Sequence, residues 1–185
     1  MRPQLYMLAS GLFNQPTKER LEALPGLIAQ LQLAMPDAPW ADTLNALEAE
    51  MVYEKTKEIE YSRLFILDAR SVPAQPFGSY WLESDQCLLG KTTMEVKEMM
   101  AQHGIEVADN AGLLPDHIVS ELEFMAYLAS QDETLETQNR LLEQHLAKWV
   151  PQFIAAIQAA NPMTYYRLAT DFLEKFLTWD QEQLQ

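Results

Sequence analysis

Residues 113–128, LLPDHIVSELEFMAYL, combine a helix start signal with an unusually wide apolar face. At about 100° per residue, Ile118, Leu122 and Met125 fall on one stripe of a helix, and further apolar residues lie on both sides of it. His117 and Glu121 lie inside this apolar arc rather than on the polar side. They are one helical turn apart, so a helix would allow them to pair. The stretch therefore predicts a helix that is packed on most of its sides.

The two polar residues in this arc allow two interpretations. Burying an unpaired polar group costs about 1–3 kcal/mol, so His117 and Glu121 need partners. They can form a core pair that ties the helix to its neighbour, or the floor of a pocket for a polar or cationic ligand. In such a pocket a carboxylate is a strong receptor for arginine. Asp116 fits either as the N-cap of this helix or as a second carboxylate in the same cleft.

Composition extends the helical prediction to the whole chain. The 185 residues are 48% hydrophobic, which is typical of a folded protein, and they include six glycines. Leu, Ala, Glu, Gln and Met dominate, and these side chains lose little rotamer freedom in a helix. We therefore predict an all-α fold, a helical bundle.

Helical spacing divides the first third of the chain. Residues 5–13 predict a first helix that ends before Pro16. A second helix begins at Thr17 and is kinked or split near Pro25 and Gly26. From 41 to about 67 the pattern fits one long helix or two abutting ones.

Start and stop signals divide the rest of the chain. A capping box at Thr92 predicts a helix that ends at Gly104. After the helix of 116–129, Asp132 is the expected N-cap of the next one. Pro151 is expected to start a separate segment, and residues 165–179 predict a last helix.

An aromatic-rich segment interrupts the helical pattern. Residues 68–84, DARSVPAQPFGSYWLES, hold two prolines, a glycine and three aromatic residues without periodicity. This composition predicts a long ordered loop between helices. Such loops are uncommon inside compact domains and often carry function, so these aromatic side chains either pack on the bundle or line a binding groove.

Charge and hydropathy exclude several classes of partner. The net charge of −14 disfavours binding to nucleic acids and to anionic membrane surfaces, and it favours cationic partners. No stretch approaches the roughly 18 apolar residues that span a bilayer, so we expect no stable membrane insertion. The single cysteine, Cys87, excludes an internal disulfide and fits a buried side chain in a reducing compartment. Because no small-residue cleavage site follows the first helix, the expected location is cytoplasmic.

The domain prediction is a single unit over 1–185. It can divide into an N-lobe, 1–106, and a C-lobe, 116–185, joined by a linker at 107–115. Two lobes joined by a linker can exchange between copies, so the expected state is a monomer or a domain-swapped dimer.

The catalytic motifs that could be sought in this sequence are incomplete. GKTT at 90–93 lacks the glycine that a phosphate-binding loop needs five residues before Gly90, where Asp85 stands. The histidines are widely separated and do not form the Glu-x-x-His pairs of a metal-binding bundle. Cys87 has no obvious adjacent base. These motifs therefore favour neither a phosphate-binding loop nor a catalytic triad, and we predict no bound metal and no cofactor.

Three segments in this order and spacing resemble the TorD/DmsD/NarJ family, the cytoplasmic chaperones that mature molybdenum-containing redox enzymes. They are IEYSRLF (59–65), PFGSYWLE (76–83) and PDHIVSELEFMAYL (115–128). The later segments HLAKWVPQFIAAI (145–157) and TYYRLATDFLEKFL (164–177) also fit the family pattern. The resemblance covers nearly the whole chain, and its most specific element is the Asp-His…Glu-Leu-x-Phe-Met core.

This resemblance implies a TorD-like helical fold without enzymatic activity. Members of the family bind the twin-arginine signal peptide of an apo-molybdoenzyme, assist cofactor insertion and prevent premature export. The expected partners are thus the signal peptide and the body of a client of the dimethyl sulfoxide or trimethylamine N-oxide reductase type. The implied peptide-binding residues are Leu64, Phe65, Pro76, Phe77, Gly78, Ser79, Tyr80, Trp81, Asp116, His117 and Glu121.

Two rival functions remain open at the level of the sequence. One is a small metal-dependent hydrolase that uses Asp116, His117 and Glu121. The other is a structural assembly subunit in which the His117–Glu121 pair only holds the core together.

Overall fold

A computed structural model describes residues 1–66, 72–86, 88–107, 113–131 and 134–184, and the regular elements in these ranges are helical. They are α1 (Arg2–Phe13), α2 (Lys18–Ala34), α3 (Ala41–Glu50), α4 (Lys55–Phe65), α5 (Gly78–Leu82), α6 (Lys91–Gln102), α7 (Ile118–Ala129), α8 (Leu135–Leu141), a π-helical turn (Leu142–Leu146), α9 (Ala147–Ala159) and α10 (Thr164–Leu184). The all-α prediction is confirmed.

Several predicted helix ends are correct for the expected reasons. The side chain of Thr17 caps α2 by accepting from the Arg20 N–H. Gly104, with φ +69°, follows the end of α6 in the left-handed region that favours glycine. Residues 41–65 form two helices, α3 and α4, rather than one. Helix α2 passes through Pro25 without splitting.

Two predicted helix starts are wrong. The N-cap of α6 is Gly90 rather than Thr92, because a carboxylate from outside the helix, that of Glu83, accepts from the Thr92 N–H at 2.7 Å. Pro151 does not start a segment, since it lies inside α9, which continues from α8 through the π turn. The predictions for Cys87 and Asp132 concern residues outside the described ranges.

Helix α1 lies at the centre of the packing, against α2, α7 and α10. Helix α10 also contacts α3 and α9, and aromatic edges join these elements. Trp40 meets Phe176 edge-on at a ring distance of 5.8 Å, and Tyr6 meets the same ring at 4.6 Å. Helices on both sides of the predicted 107–115 linker therefore contribute to one hydrophobic core. Within that linker, residues 108–112 lie outside the described ranges.

A buried ionic network fastens the first helix to the last. Asp180 is fully buried, and one of its carboxylate oxygens accepts from the Tyr6 hydroxyl at 2.6 Å and from Arg2 Nη2 at 2.9 Å. Arg2 Nη1 also donates to the side chain of Gln138 in α8 at 2.7 Å. The network joins α1, α8 and α10.

The short helix α5 lies at one end of the bundle, between α6 and α9. Its N-terminus adjoins the start of α7, so the aromatic-rich segment meets the helix that follows Asp116. Of the helices in the described ranges, none is long and apolar enough to cross a membrane.

Candidate functional site

Two segments that are far apart in sequence, 76–81 and 116–121, meet at this end of the bundle. The Gly78 N–H donates to the Asp116 carbonyl at 2.8 Å, and the Ile118 N–H donates to the Pro76 carbonyl at 2.8 Å. These bonds form an isolated antiparallel bridge between Phe77 and His117, whose rings also meet edge-on at 5.1 Å. The structure therefore brings together nine of the predicted site residues, by direct contacts or within these two segments. They are Pro76, Phe77, Gly78, Ser79, Tyr80, Trp81, Asp116, His117 and Glu121.

Asp116 caps a helix, but not the one expected from the sequence. Its side chain is fully buried, and Oδ2 accepts from the Ser79 N–H at 2.8 Å. Ser79 is the second residue of α5, so the carboxylate satisfies an N–H that α5 leaves unbonded. The interpretation of Asp116 as the N-cap of α7 is wrong. Asp116 instead holds the aromatic-rich segment against the bundle.

His117 takes the position of N-cap of α7. Its backbone is extended, with ψ 142°, and its ring Nδ1 accepts from the Val119 N–H at 3.1 Å. Burial lowers the pKa of His117 to about 4, so the ring is neutral at pH 7 and its Nδ1 lone pair is available as an acceptor. The core pair with Glu121, one of the two interpretations of this stretch, is not formed: both residues are described, and no hydrogen bond joins their side chains, because His117 lies just outside the helical backbone.

Glu121 is a fully buried carboxyl group beneath the bridge. Trp149 Nε1 donates to its Oε2 at 3.5 Å, which is a long contact. Burial, and then the charge of Asp116, raises the pKa of Glu121 well above its ordinary value. Both causes disfavour the charged form that would bind an arginine. Gly78 allows this close packing, since a Cβ atom there would lie 3.1 Å from both Glu121 Oε1 and Trp149 Nε1.

We expect Glu121→Gln to stabilise the protein increasingly as the pH rises above 4.5, the ordinary pKa of a glutamate. Above that pH the unfolded chain releases a proton that folded Glu121 keeps, so the wild type loses up to about 1.4 kcal/mol per pH unit until the folded pKa is reached. Glutamine does not titrate. Urea unfolding of both proteins at pH 5 and pH 7 measures the difference, and an equal difference at the two pH values would contradict a raised pKa.

Several buried polar atoms around the bridge have no hydrogen-bond partner among the described residues. They are Ser79 Oγ, Thr93 Oγ1, Asp116 Oδ1, Glu121 Oε1 and His145 Nδ1. Buried polar atoms are nearly always hydrogen-bonded, so such a concentration at one end of a bundle is unusual. The described residues contain no group of three or more His, Cys, Asp and Glu side chains that could hold a metal.

The aromatic side chains of the segment are its accessible part. Tyr80 and Trp81 are half-buried and meet edge-on at 5.1 Å. Trp81 Nε1 donates to the Gln75 carbonyl at 2.8 Å, which fixes the indole along the loop. Phe77 is also partly exposed. These three rings, unlike the carboxyl groups below them, can reach a partner without any opening of the bundle.

Leu64 and Phe65 lie in the core rather than at the bridge. Both are buried, and Phe65 packs against Phe153 and Tyr166. The Leu64 carbonyl accepts from the Ala74 N–H at 3.1 Å, so the end of α4 anchors the segment that leads to Pro76. The structure thus separates these two residues from the other predicted site residues.

Two concavities flank α6 beside the bridge. The first, which we call the acidic recess, has a volume of about 550 Å³ and is bordered mainly by Glu83, Asp85, Lys91, Glu95, His145 and Lys148. The second, which we call the apolar cleft, has a volume of about 620 Å³ and includes Leu89, Thr93, Met94, Met100, Ile105 and Leu113.

Sequence reasoning missed Glu83, His145 and Trp149 as members of this region. Glu83 caps α6 from a distance, and Trp149 reaches the bridge only because α5 packs on α9. His145 lies in the π turn of Leu142–Leu146, and π turns are frequent at functional sites, but no sequence pattern marks one.

The chain is similar to proteins of known classification along most of its length. Residues 18–155 match the family model described as nitrate reductase delta subunit. The chain is 28% identical to the chaperone protein TorD of Psychrobacter sp. (strain PRwf-1) over 203 residues, covering 100% of this chain and 91% of the relative.

Two further proteins are similar to this chain. The Tat proofreading chaperone DmsD of Salmonella typhimurium is 31% identical over 122 residues, 63% of this chain and 59% of that protein. A crystal structure of a protein from Archaeoglobus fulgidus assigned to redox enzyme maturation superposes with a TM-score of 0.67 at 26% identity, covering 93% of this chain and 91% of the other.

Proposed function

Since this chain belongs to the TorD/DmsD/NarJ family of redox enzyme maturation chaperones, we propose that it binds the twin-arginine signal peptide of an apo-molybdoenzyme in the cytoplasm. While bound, it assists cofactor insertion and prevents premature export. The client is an enzyme of the dimethyl sulfoxide or trimethylamine N-oxide reductase type. Like its relatives, which are named chaperones, the chain is a maturation chaperone and not a catalyst.

The observation that carries this proposal is the bridge between 76–78 and 116–118 in an acidic protein. It presents three partly exposed rings, those of Phe77, Tyr80 and Trp81, on a rigid base. Rigid aromatic side chains are typical anchors for a bound peptide. A net charge of −14 attracts a ligand that carries two arginines.

The buried members of the site have a different part in this proposal. Asp116, His117 and Glu121 are less than about a twentieth exposed, so they support the bridge from below while the rings make contact. Pro76, Gly78 and Ser79 supply the backbone that Asp116 and Ile118 hold. Leu64 and Phe65 anchor the loop at its other end.

Isothermal titration calorimetry tests the proposal with synthetic signal peptides of a trimethylamine N-oxide reductase and a dimethyl sulfoxide reductase. We expect one of them to bind. Replacing its arginine pair by two lysines should weaken binding about tenfold or more, because lysine cannot form the bidentate contact of a guanidinium group. If neither peptide binds the wild-type protein, the proposed function is wrong.

The hydrolase hypothesis is not favoured. It requires Asp116, His117 and Glu121 to meet a substrate, whereas all three are buried and the matched relatives are named chaperones.

A further inference from the structure

The carboxyl groups that the sequence offers to arginine cannot receive it in the folded form described here. Asp116 and Glu121 are fully buried, and Asp116 Oδ2 is already bonded to the Ser79 N–H. A guanidinium group needs an accessible carboxylate with free lone pairs. The two arginines of a signal peptide therefore require another acceptor near the bridge.

The acidic recess has the features of such an acceptor. Glu95 borders it, half-buried, with Oε1 at 3.2 Å from Lys91 Nζ. Lys91 is 85% exposed, so this pair is weak, and an incoming cation can replace the lysine. Glu83 contributes a second carboxylate, which is fixed by the Thr92 N–H.

His145 adds an independent sign that the recess is a binding site. Its side chain is 3% exposed, and its Nδ1 has no hydrogen-bond partner among the described residues. Its Nε2 is turned toward Glu95 Oε2 at 4.0 Å. Burial lowers the pKa of His145, so the ring is neutral at pH 7 and adds no positive charge to the recess.

The apolar cleft lies on the other side of the same helix. Thr92 borders the recess and Thr93 borders the cleft, so the backbone of consecutive residues, about 3.8 Å apart, separates the two. Near the cleft, Leu88, Leu89 and Met94 are 43%, 66% and 50% exposed. Grouped exposed apolar side chains mark interaction surfaces, and methionines adapt to varied partners.

Charge selects the occupant of this surface. The chain carries a net charge of −14, which repels a second copy of itself and attracts a basic peptide. A peptide with an arginine pair followed by an apolar helix matches the order of the two concavities across α6. It places opposite charge in the recess and apolar surface in the cleft.

Building on the proposed function, we infer that the N-terminal half of α6 is the ridge across which the signal peptide docks. The arginine pair lies in the acidic recess against Glu83, Glu95 and His145. The apolar segment that follows lies in the apolar cleft over Met94. The rings of Phe77, Tyr80 and Trp81 border this track rather than form its centre.

Two substitutions test this inference with the reductase signal peptide that binds the wild-type protein. We expect Glu95→Gln and Met94→Glu each to weaken binding about tenfold, which is about 1.4 kcal/mol. Glu95→Gln should also reduce the difference in affinity between the arginine peptide and its lysine version, since the carboxylate that accepts the bidentate guanidinium contact is gone. Calorimetry measures the affinity of the wild type and of Glu95→Gln for each of the two peptides, which gives four combinations.

Matched controls keep charge and exposure comparable. Glu98→Gln alters an exposed carboxylate of α6 that borders neither concavity, and Leu33→Glu alters an exposed apolar residue of α2. Both should bind like the wild type. If Glu95→Gln and Met94→Glu also bind within about twofold of the wild type, α6 is not the docking ridge, even though the chaperone function stands.

A second experiment uses the unaltered protein and does not depend on how the variants fold. A photo-crosslinker placed in the apolar segment of the same peptide should label residues of the apolar cleft, as identified by mass spectrometry. Labelling confined to other helices would overturn the inference. So would a change of oligomeric state in Met94→Glu without a change in peptide affinity, because the cleft would then be a contact between copies.

Discussion

Replacing Asp180 by alanine is expected to lower the free energy of unfolding by about 3–5 kcal/mol, the usual cost of removing one partner of a buried ion pair. Arg2 and the Tyr6 hydroxyl both lose their acceptor, and Tyr6 is fully buried. For a chain of this size we expect the melting temperature to fall by about 6–20 °C. Because α1 contacts α2, α7 and α10, the loss affects the whole bundle.

Urea unfolding measures this loss. An unchanged dependence of the unfolding free energy on urea concentration shows that the denatured state is the same. Glu22→Ala is the control, since Glu22 and Lys18 form an ion pair in which both side chains are mostly exposed. It should cost less than about 1 kcal/mol. If Asp180→Ala costs as little as this control, the buried network does not stabilise the fold.

Asp116→Ala is expected to weaken signal-peptide binding about tenfold, whereas Asp116→Asn should bind within about twofold of the wild type. The reason is the bond from the Ser79 N–H to Asp116 Oδ2, which fixes α5 and the rings that follow. Alanine removes the acceptor and leaves a buried N–H unbonded, at a cost of about 1–3 kcal/mol in stability. An asparagine oxygen can accept the same bond.

The comparison of the two Asp116 variants separates positioning from direct contact. If the carboxylate itself bound an arginine of the peptide, asparagine would lose as much affinity as alanine, because the charge is absent in both. Calorimetry with one peptide and three proteins distinguishes these outcomes. Melting curves of the same proteins show whether asparagine also restores stability, as a retained cap requires.

Helix identity could be predicted from local pattern, but helix ends that depend on tertiary contacts could not. Thr17 caps α2 with its own side chain, so the chain near the helix start contained the necessary information. At α6 the cap comes from Glu83, which competes with the local signal of Thr92. Pro151 is a helix breaker by local rules, yet packing of α9 in the core keeps it within a helix.

In the site, too, the features that depend on tertiary contacts could not be predicted from local pattern. Helical spacing correctly placed His117 and Glu121 in an apolar environment, since both are buried. The pairing rule failed because it assumes a helical backbone at both residues, and His117 has an extended one. The burial of Asp116 depends on residues 76–79, which lie 37 positions before it along the chain at the contact with Ser79. No pattern within 113–128 contains that contact.

The π turn at Leu142–Leu146 joins α8 to α9 in one continuous rod, and it sets the rotation of α9 about the common axis relative to α8. Each residue of an α-helix advances the screw by about 100°, and a π turn accommodates an extra residue by winding more slowly. Deleting one residue there would leave a continuous rod but rotate Trp149 away from Gly78 and Glu121. The length of this one turn therefore determines which face of α9 is directed toward the bridge, so that Trp149 meets Glu121, which lies 28 residues earlier in the chain.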